Sequence, residues 1–159
     1  MKVKDVTTPA GNPMVSVIMP VRNEDLFIRR SLGALLRQTY PGNRMEVIVA
    51  DGMSTDGTRE TIREIAANSE IPIVIVDNPK LIAPTGLNRA LEKARGDIVI
   101  RVDGHCEVDS GYVENCVSLL QAGAADGVGG PIETVGDSRR AKAIALAMSS
   151  TFGVGGSAF

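Results

Sequence analysis

Four short β-branched runs recur along the chain, each followed by a stretch with helical spacing. The runs are residues 15–20 (V-S-V-I-M-P), 46–50 (E-V-I-V-A), 73–76 (I-V-I-V) and 98–102 (I-V-I-R-V). Continuous apolar runs of this kind suit strands covered on both faces. Between them Ile28, Leu32, Leu35 and Leu36 fall on one helical face, with Asn23 placed to cap. Ile62, Ile65 and Ala66 repeat the spacing after Ser54, Thr55 and Asp56, each of which can cap. Leu87, Ala90, Leu91 and Ala94 do so from Pro84 or Thr85 onward, with Gly96 just past the end. Val113, Cys116, Val117 and Leu120 give a fourth helix between Asp109 or Ser110 and Gly123. Residues 40–43 (Y-P-G-N) read as a turn. Strand and helix in alternation dictate right-handed crossovers and an α/β fold: a mainly parallel sheet flanked by helices. Beyond Gly127 the regularity weakens, to a short strand expected at 128–131 and a helix at 141–148.

With 159 residues the chain is one domain or a large piece of one. A net charge of −2 supplies no basic surface for nucleic acid, so an anionic ligand needs local donors or a metal ion. Residues 1–12 lack the apolar core of a signal peptide, and 1–14 read as an N-terminal extension. Residues 143–159 are too weakly apolar for the roughly 20-residue span a membrane requires, and read as a packed helix followed by a Gly-rich loop. Cys106 and Cys116 form neither a disulfide framework nor a C-x-x-C zinc signature. Cys116 sits on an apolar stripe as a core residue, and the expected setting is reducing and cytoplasmic.

In an open parallel sheet, ligands bind beyond the carboxyl ends of the strands. The segments there are 20–24 (P-V-R-N-E), 51–57 (D-G-M-S-T-D-G), 77–80 (D-N-P-K) and 103–105 (D-G-H). Acids, amides and the cations Arg22 and Lys80 therefore collect on one edge. Singly, Asp51, Asp56 and Asp77 are ordinary capping or turn residues; their coincidence at consecutive strand ends argues for a site. The Asp103-Gly104-His105 triplet is the sharpest signal. In extended backbone, residues i and i+2 point to one side about 6.5 Å apart, so carboxylate and imidazole can share one cation. That pair suits Mn²⁺ or Mg²⁺ completed by phosphate oxygens, whereas zinc ordinarily takes more nitrogen or sulfur. No G-x-x-x-x-G-K-[ST] and no G-x-G-x-x-G after the first strand are present, so neither a P-loop nor a dinucleotide fold is expected.

The segments V-S-V-I-M-P-V-R-N-E, V-I-V-A-D-G-M-S-T-D-G-T and G-D-I-V-I-R-V-D-G-H, in this order, resemble glycosyltransferase family 2 with its GT-A (nucleotide-diphospho-sugar transferase) fold. The matching region runs over about residues 15–131. The later V-G-G-P and F-G-V-G-G-S-A-F are similar to the branch containing succinoglycan-type exopolysaccharide transferases. The resemblance implies that Pro20, Val21, Arg22 and Glu24 line the nucleoside pocket, Glu24 near the ribose, and that Asp51 reads the nucleobase, usually uracil. Lys80 joins this nucleotide-sugar-binding set. Asp103 begins the metal motif, usually Asp-x-Asp, with His105 standing where the last Asp belongs, so Asp103 and His105 are the implied ligands of Mn²⁺ or Mg²⁺ holding the donor diphosphate. Leu87 precedes Asn88 where many relatives carry Arg, which removes one diphosphate contact.

The family places its catalytic carboxylate, often within Glu-Asp, after a further strand. Glu133 and Asp137 are the only acids near that point and neither has a matching context. We therefore expect residues 15–159 to be the nucleotide-sugar-binding part of a C-terminally truncated GT-A domain, its acceptor half incomplete and its base beyond Phe159. The implied activity is inverting, metal-dependent transfer from a nucleotide-diphosphate sugar, a UDP-sugar first, to a glycan or lipid-linked hydroxyl acceptor in polysaccharide or cell-surface glycan synthesis. The implied location is cytoplasmic, at the inner face of the membrane through peripheral association of the full-length protein. Two alternatives stand beside it: a non-catalytic nucleotide-sugar binding module, and a sugar-nucleotide pyrophosphorylase, which expects a Gly-rich basic loop where P-V-R-N-E stands. A phospho-receiver domain would want paired acids there instead.

Overall fold

The structure, a computed structural model, describes residues 11–123, 125–131, 133, 135, 136 and 138–149. Asp137, the glycine cluster at 153–156 and most of the N-terminal extension lie outside the described residues. The chain divides into two compact units, Met1–Asp126 and Gly127–Phe159. The first holds β1 (Val15–Val21), α1 (Ile28–Leu36), β2 (Met45–Asp51), α2 (Thr58–Ala67), β3 (Ile73–Asp77), α3 (Ala83–Leu91), β4 (Ile98–Arg101) and α4 (Tyr112–Gln121). The second holds α5 (Arg139–Ser149). The turn at 40–43 becomes a single 3₁₀ turn, Gly42–Arg44. The strand expected at 128–131 is not formed: these residues carry no ladder hydrogen bonds and no regular structure. Val128 is the one β-branched residue between two glycines and a proline, too little for a strand.

The strands form one parallel sheet in the order β3-β2-β1-β4. The register places Val21, Asp51 and Asp77 in one row, so the first three strands end level. β4 pairs Arg101 with Ile18, and a further bond from the Val102 N–H to the Ile18 carbonyl (3.1 Å) carries the ladder past its last residue. Because β1-β2-β3 step one way across the sheet and the β3-to-β4 crossover steps back, right-handed connections set α1 and α2 on one face and α3 on the other. On the α3 face Ile18, Ile48 and Ala50 pack with Ala90, joined by Val76, Leu87 and Ala94. Val17, Met19, Val47 and Val49 alternate to the opposite face and are fully buried, as are Ile28, Leu32 and Leu35 of α1 and Ile62 of α2. Each such side chain contributes about 1.5–3 kcal/mol on leaving water. Cys116 is buried in this core as its stripe implies.

At the amino edge of the sheet one acid is buried inside an apolar run. Glu46 is 1% exposed and accepts from Ser16 Oγ (2.7 Å), the Arg95 backbone N–H (2.8 Å) and the Arg95 guanidinium (2.6 and 2.9 Å). Ser16 Oγ in turn accepts the Gly96 N–H at 2.8 Å. Gly96 is obligatory, since a Cβ there would lie 2.5 Å from the Ser16 backbone nitrogen. Gly96, read in sequence as the end of α3, stands five residues past the helix, which closes at Leu91, and instead lets the chain pass close against β1 on its way into β4.

Candidate functional site

The loops leaving the strands meet on the carboxyl edge and are stitched to one another. Asn23, read in sequence as a cap for α1, does another task. It holds a left-handed backbone (φ 55°), accepts the Thr55 N–H on Oδ1 (2.9 Å) and gives its own N–H to Ser54 Oγ (2.9 Å). The residue at the α1 N-cap is Phe27, without a side-chain cap. Asp56 does serve α2: its carboxylate accepts the Thr58 N–H (3.0 Å) and hydroxyl (2.5 Å), and these bonds, the hydroxyl's foremost, lower its pKa. Thr58 Oγ1 also accepts the Glu24 N–H at 2.8 Å. Met53 (φ 53°) and Leu81 (φ 66°) are left-handed too. The three strained non-glycine residues described in the chain thus occupy the loops after β1, β2 and β3. Met53 and Leu81 each cost about 1–2 kcal/mol, Asn23 less, and such strain persists where the surroundings over-determine it. Gly52 is the meeting point: a Cβ there would come within 3.2–3.3 Å of the Arg22 side chain and the Leu81 carbonyl.

Between these loops and the exit of β4 lies a cavity of about 260 Å³. Its wall includes Pro20, Val21, Arg22, Glu24, Asp103 and His105, six of the residues singled out in sequence. The remainder is Ala50, Asn78, Arg101 and an apolar side formed by Leu81, Ile82 and Ala83. Lys80 is not brought into this cavity. It lines a neighbouring pocket of about 320 Å³ with Thr85, Asn88 and Arg89, and buried Asn78 borders both.

Asp51 stands on the same edge as Asp103 but is not among the residues of the cavity wall. It is fully buried, accepts from Ser54 Oγ (2.5 Å) and the Ser54 N–H (3.2 Å), and faces Arg59 Nη1 at 3.4 Å. Arg59, in the first turn of α2, also pairs with Asp77; that hydrogen bond first, and the charge of Asp51 beside it, raise its pKa. Arg59 Nε is buried without a hydrogen-bond partner. One guanidinium therefore joins the tips of β2 and β3.

The geometry at the end of β4 differs from the extended pair expected. Arg101 closes the strand, and residues 103–106 form a turn in which the Cys106 N–H bonds to the Asp103 carbonyl at 2.9 Å. Same-side spacing applies instead to Arg101 and Asp103, which flank Val102: Arg101 Nε and Nη2 donate to the two carboxylate oxygens at 2.8 and 3.0 Å. That bond, with the acid's charge, raises the Arg101 pKa. The missed partner was legible in the period-2 alternation of β4. His105 places Nδ1 3.1 Å from Glu24 Oε1. Gly104 is fixed between them, its carbonyl accepting Ser31 Oγ of α1 at 2.5 Å. A Cβ on Gly104 would stand 2.8 Å from Val21 Cγ1 and 3.2 Å from Glu24 Cγ. Gly104→Ala is therefore expected to lower stability by about 1–3 kcal/mol through overpacking and to loosen the 103–105 turn, which urea unfolding and ligand titration of the variant would measure.

Among the described residues no three His, Cys, Asp or Glu side chains gather into a metal-holding group. The available set is one carboxylate, Asp103, and one imidazole, His105, on a shared wall. Two protein donors are too few for a closed zinc site, but they fit Mg²⁺ or Mn²⁺, which ordinarily take their remaining ligands from phosphate and water. With Arg22 and Arg101 set against Glu24 and Asp103, the cavity offers cations to phosphate oxygens and acids to hydroxyls or a metal.

A sequence model of the family described as Glycosyl transferase family 2 matches residues 16–154. The succinoglycan biosynthesis protein ExoA of Rhizobium meliloti is 39% identical over 144 residues, 89% of this chain and 43% of that protein. Among solved structures, a mannosyltransferase from Pyrobaculum calidifontis in complex with GDP-Man and Mn²⁺ superposes with a TM-score of 0.68 at 30% identity, covering 92% of this chain and 43% of that one. TarS of S. aureus in complex with UDP-GlcNAc gives a TM-score of 0.62 at 22% identity over 76% of this chain and 38% of that one, a likeness of fold. The chain spans less than half the length of each of these relatives. No described helix is long and apolar enough to cross a membrane.

Proposed function

The chain belongs to glycosyl transferase family 2, and from that premise we propose that its β1–β4 cavity receives a nucleotide-diphosphate sugar, a UDP-sugar in the first instance, whose sugar is transferred with inversion to a hydroxyl acceptor. The observation that carries this reading is the convergence of Pro20, Val21, Arg22, Glu24, Asp103 and His105 on one cavity wall at the carboxyl edge of a parallel sheet. Ligands of such sheets lie there. Arg22 and Arg101 supply charge for the diphosphate, and the Leu81-Ile82-Ala83 side supplies an apolar surface for a nucleoside. Asp103 and His105 would hold Mn²⁺ or Mg²⁺. Bound there, the ion would act as a Lewis acid toward the charge that develops on the leaving diphosphate. Asp51 serves the nucleoside pocket, its carboxylate held by Ser54 and Arg59 at the base of the loops. The acceptor is a glycan or lipid-linked hydroxyl of a polysaccharide or cell-surface glycan pathway, and the whole protein works on the cytoplasmic side of the membrane.

Thermal-shift titration with UDP-, GDP- and dTDP-sugars, with and without Mn²⁺, tests the donor site. A donor at 100 times its dissociation constant stabilises the fold by about 2.7 kcal/mol, a rise in Tm of roughly 5–10 °C for a chain of this size. No shift with any nucleotide would remove the donor assignment.

A second reading has its own support. Both carboxylates on the cavity wall are engaged, Glu24 by His105 and Asp103 by Arg101, so neither is free to take a proton from an acceptor. That favours a nucleotide-sugar binding unit without chemistry of its own. Incubation with labelled donor, Mn²⁺ and acceptor or water separates the two: transfer or hydrolysis supports the transferase, and binding alone supports the module. Family membership sets the pyrophosphorylase alternative aside.

A further inference from the structure

We infer that Glu24 is a positioning residue for His105: it fixes the imidazole tautomer, so that Nε2 is the nitrogen offered to a divalent cation beside Asp103. The inference rests on the metal-assisted donor reading above and reassigns Glu24 from the ribose contact that family resemblance implies.

The Glu24–His105 contact is built from both sides. The Glu24 backbone is pinned by the Thr58 hydroxyl on its N–H and by the N–H groups of Phe27 and Ile28 on its carbonyl, all at 2.8 Å. His105 follows Gly104, whose carbonyl is held by Ser31 Oγ and whose α-carbon lies so close to Glu24 Cγ that no side chain fits between. Glu24 Oε1 and His105 Nδ1 then meet at 3.1 Å. An ionised carboxylate only accepts, so the hydrogen bond requires the proton on Nδ1 and leaves the lone pair on Nε2. Glu24 is not a third metal ligand, because it forms no metal-holding cluster with Asp103 and His105. A carboxylate behind a ligating imidazole, setting its tautomer and raising its basicity, is a common device in metal sites. Here it has a specific reason. A carboxylate in place of His105 would present equivalent oxygens and need no such partner, whereas a histidine offers one nitrogen of two and must be told which.

The chain has one histidine, so its ring signals are unambiguous. Long-range ¹H–¹⁵N spectra of the metal-free 159-residue chain at about pH 8, where imidazole is ordinarily neutral, should show the Nδ1–H tautomer in the unaltered protein. Glu24→Ala should shift the population toward Nε2–H. Calorimetric titration with UDP, with and without Mn²⁺, supplies the second readout. Glu24→Ala should reduce the Mn²⁺-dependent gain in UDP affinity by about 10-fold. In a His105→Ala background the same substitution should add nothing. An Nε2–H tautomer in the unaltered chain, or a Glu24→Ala penalty that persists without His105, overturns the inference and returns Glu24 to direct nucleotide contact, with the donor site still standing. Failure of the unaltered chain to bind UDP, GDP or dTDP overturns the donor reading itself, and the metal-directed role of Glu24 with it. A circular-dichroism melt of each variant distinguishes lost binding from lost fold.

Discussion

Replacing Asp103 with asparagine is expected to abolish the Mn²⁺-dependent part of nucleotide binding, a loss of at least about 100-fold, because a ligand outweighs the 10–100-fold effect of its supporting groups. Metal-free binding should move the other way. In the unaltered chain the Arg101 guanidinium is held by both oxygens of Asp103, so the two charges cancel inside the cavity. The neutral amide of the Asp103→Asn variant leaves that cation uncompensated beside an incoming diphosphate, and charge-assisted hydrogen bonds to phosphate are among the stronger ones available. Metal-free UDP affinity should therefore rise several-fold as Mn²⁺ stimulation disappears. Isothermal titration of this variant with and without Mn²⁺ reads both signs in one experiment. Retained stimulation would remove Asp103 from the metal shell, and unchanged metal-free affinity would mean that Arg101 does not reach the diphosphate.

Glu46→Ala should loosen the amino edge of the sheet, costing about 1–3 kcal/mol. The Ser16 hydroxyl and the Arg95 backbone N–H lose their acceptor, whereas the Arg95 guanidinium, 69% exposed, turns to water. Burial alone pushes the Glu46 carboxyl upward, but the hydrogen bonds from Ser16 and Arg95 together with the charge of Arg95 outweigh it, and the net shift is downward. The sign of the pH dependence follows. A carboxyl whose folded pKa lies below its unfolded value, ordinarily about 4.3, contributes stability that is present above that value. The contribution is lost as pH falls through the lower folded pKa. Urea unfolding of the Glu46→Gln variant should thus differ most from the parent near neutral pH and converge with it in acid. A constant difference across that range would show that the carboxylate's charge is not what holds the amino edge.

The strands and helices of the first unit were legible because each is an apolar run or stripe; strand bounds shifted by about one residue, while α3 ends at Leu91, three residues before Ala94, and α1 is capped at Phe27, four residues after Asn23. The convergence of the strand ends was legible for the same reason: parallel pairing forces every carboxyl end to one edge. Details within that edge depended on contacts between residues far apart in sequence. Position 103–105 reads as extended until Ser31, in another element, captures the Gly104 carbonyl and bends the chain. Asn23 has the composition of a helix cap, yet its side chain is claimed by Thr55. Arg59 has nothing in its neighbourhood to mark it as the group that joins Asp51 and Asp77, and Glu46 signals burial by lying between Met45 and V-I-V without naming Arg95. Lys80 shares a strand end with the site but follows the chain into the adjoining pocket.

The Ser16–Glu46–Arg95 cluster and the cleft occupy opposite ends of the same strands. From Ser16 to Val21 β1 rises about 16 Å, well beyond the roughly 7–10 Å within which substitutions couple. Changes at the two ends should therefore combine additively. Robustness can be adjusted at one end of the sheet and ligand preference at the other, so a lineage carrying this scaffold is able to drift in what it accepts while holding its melting temperature constant.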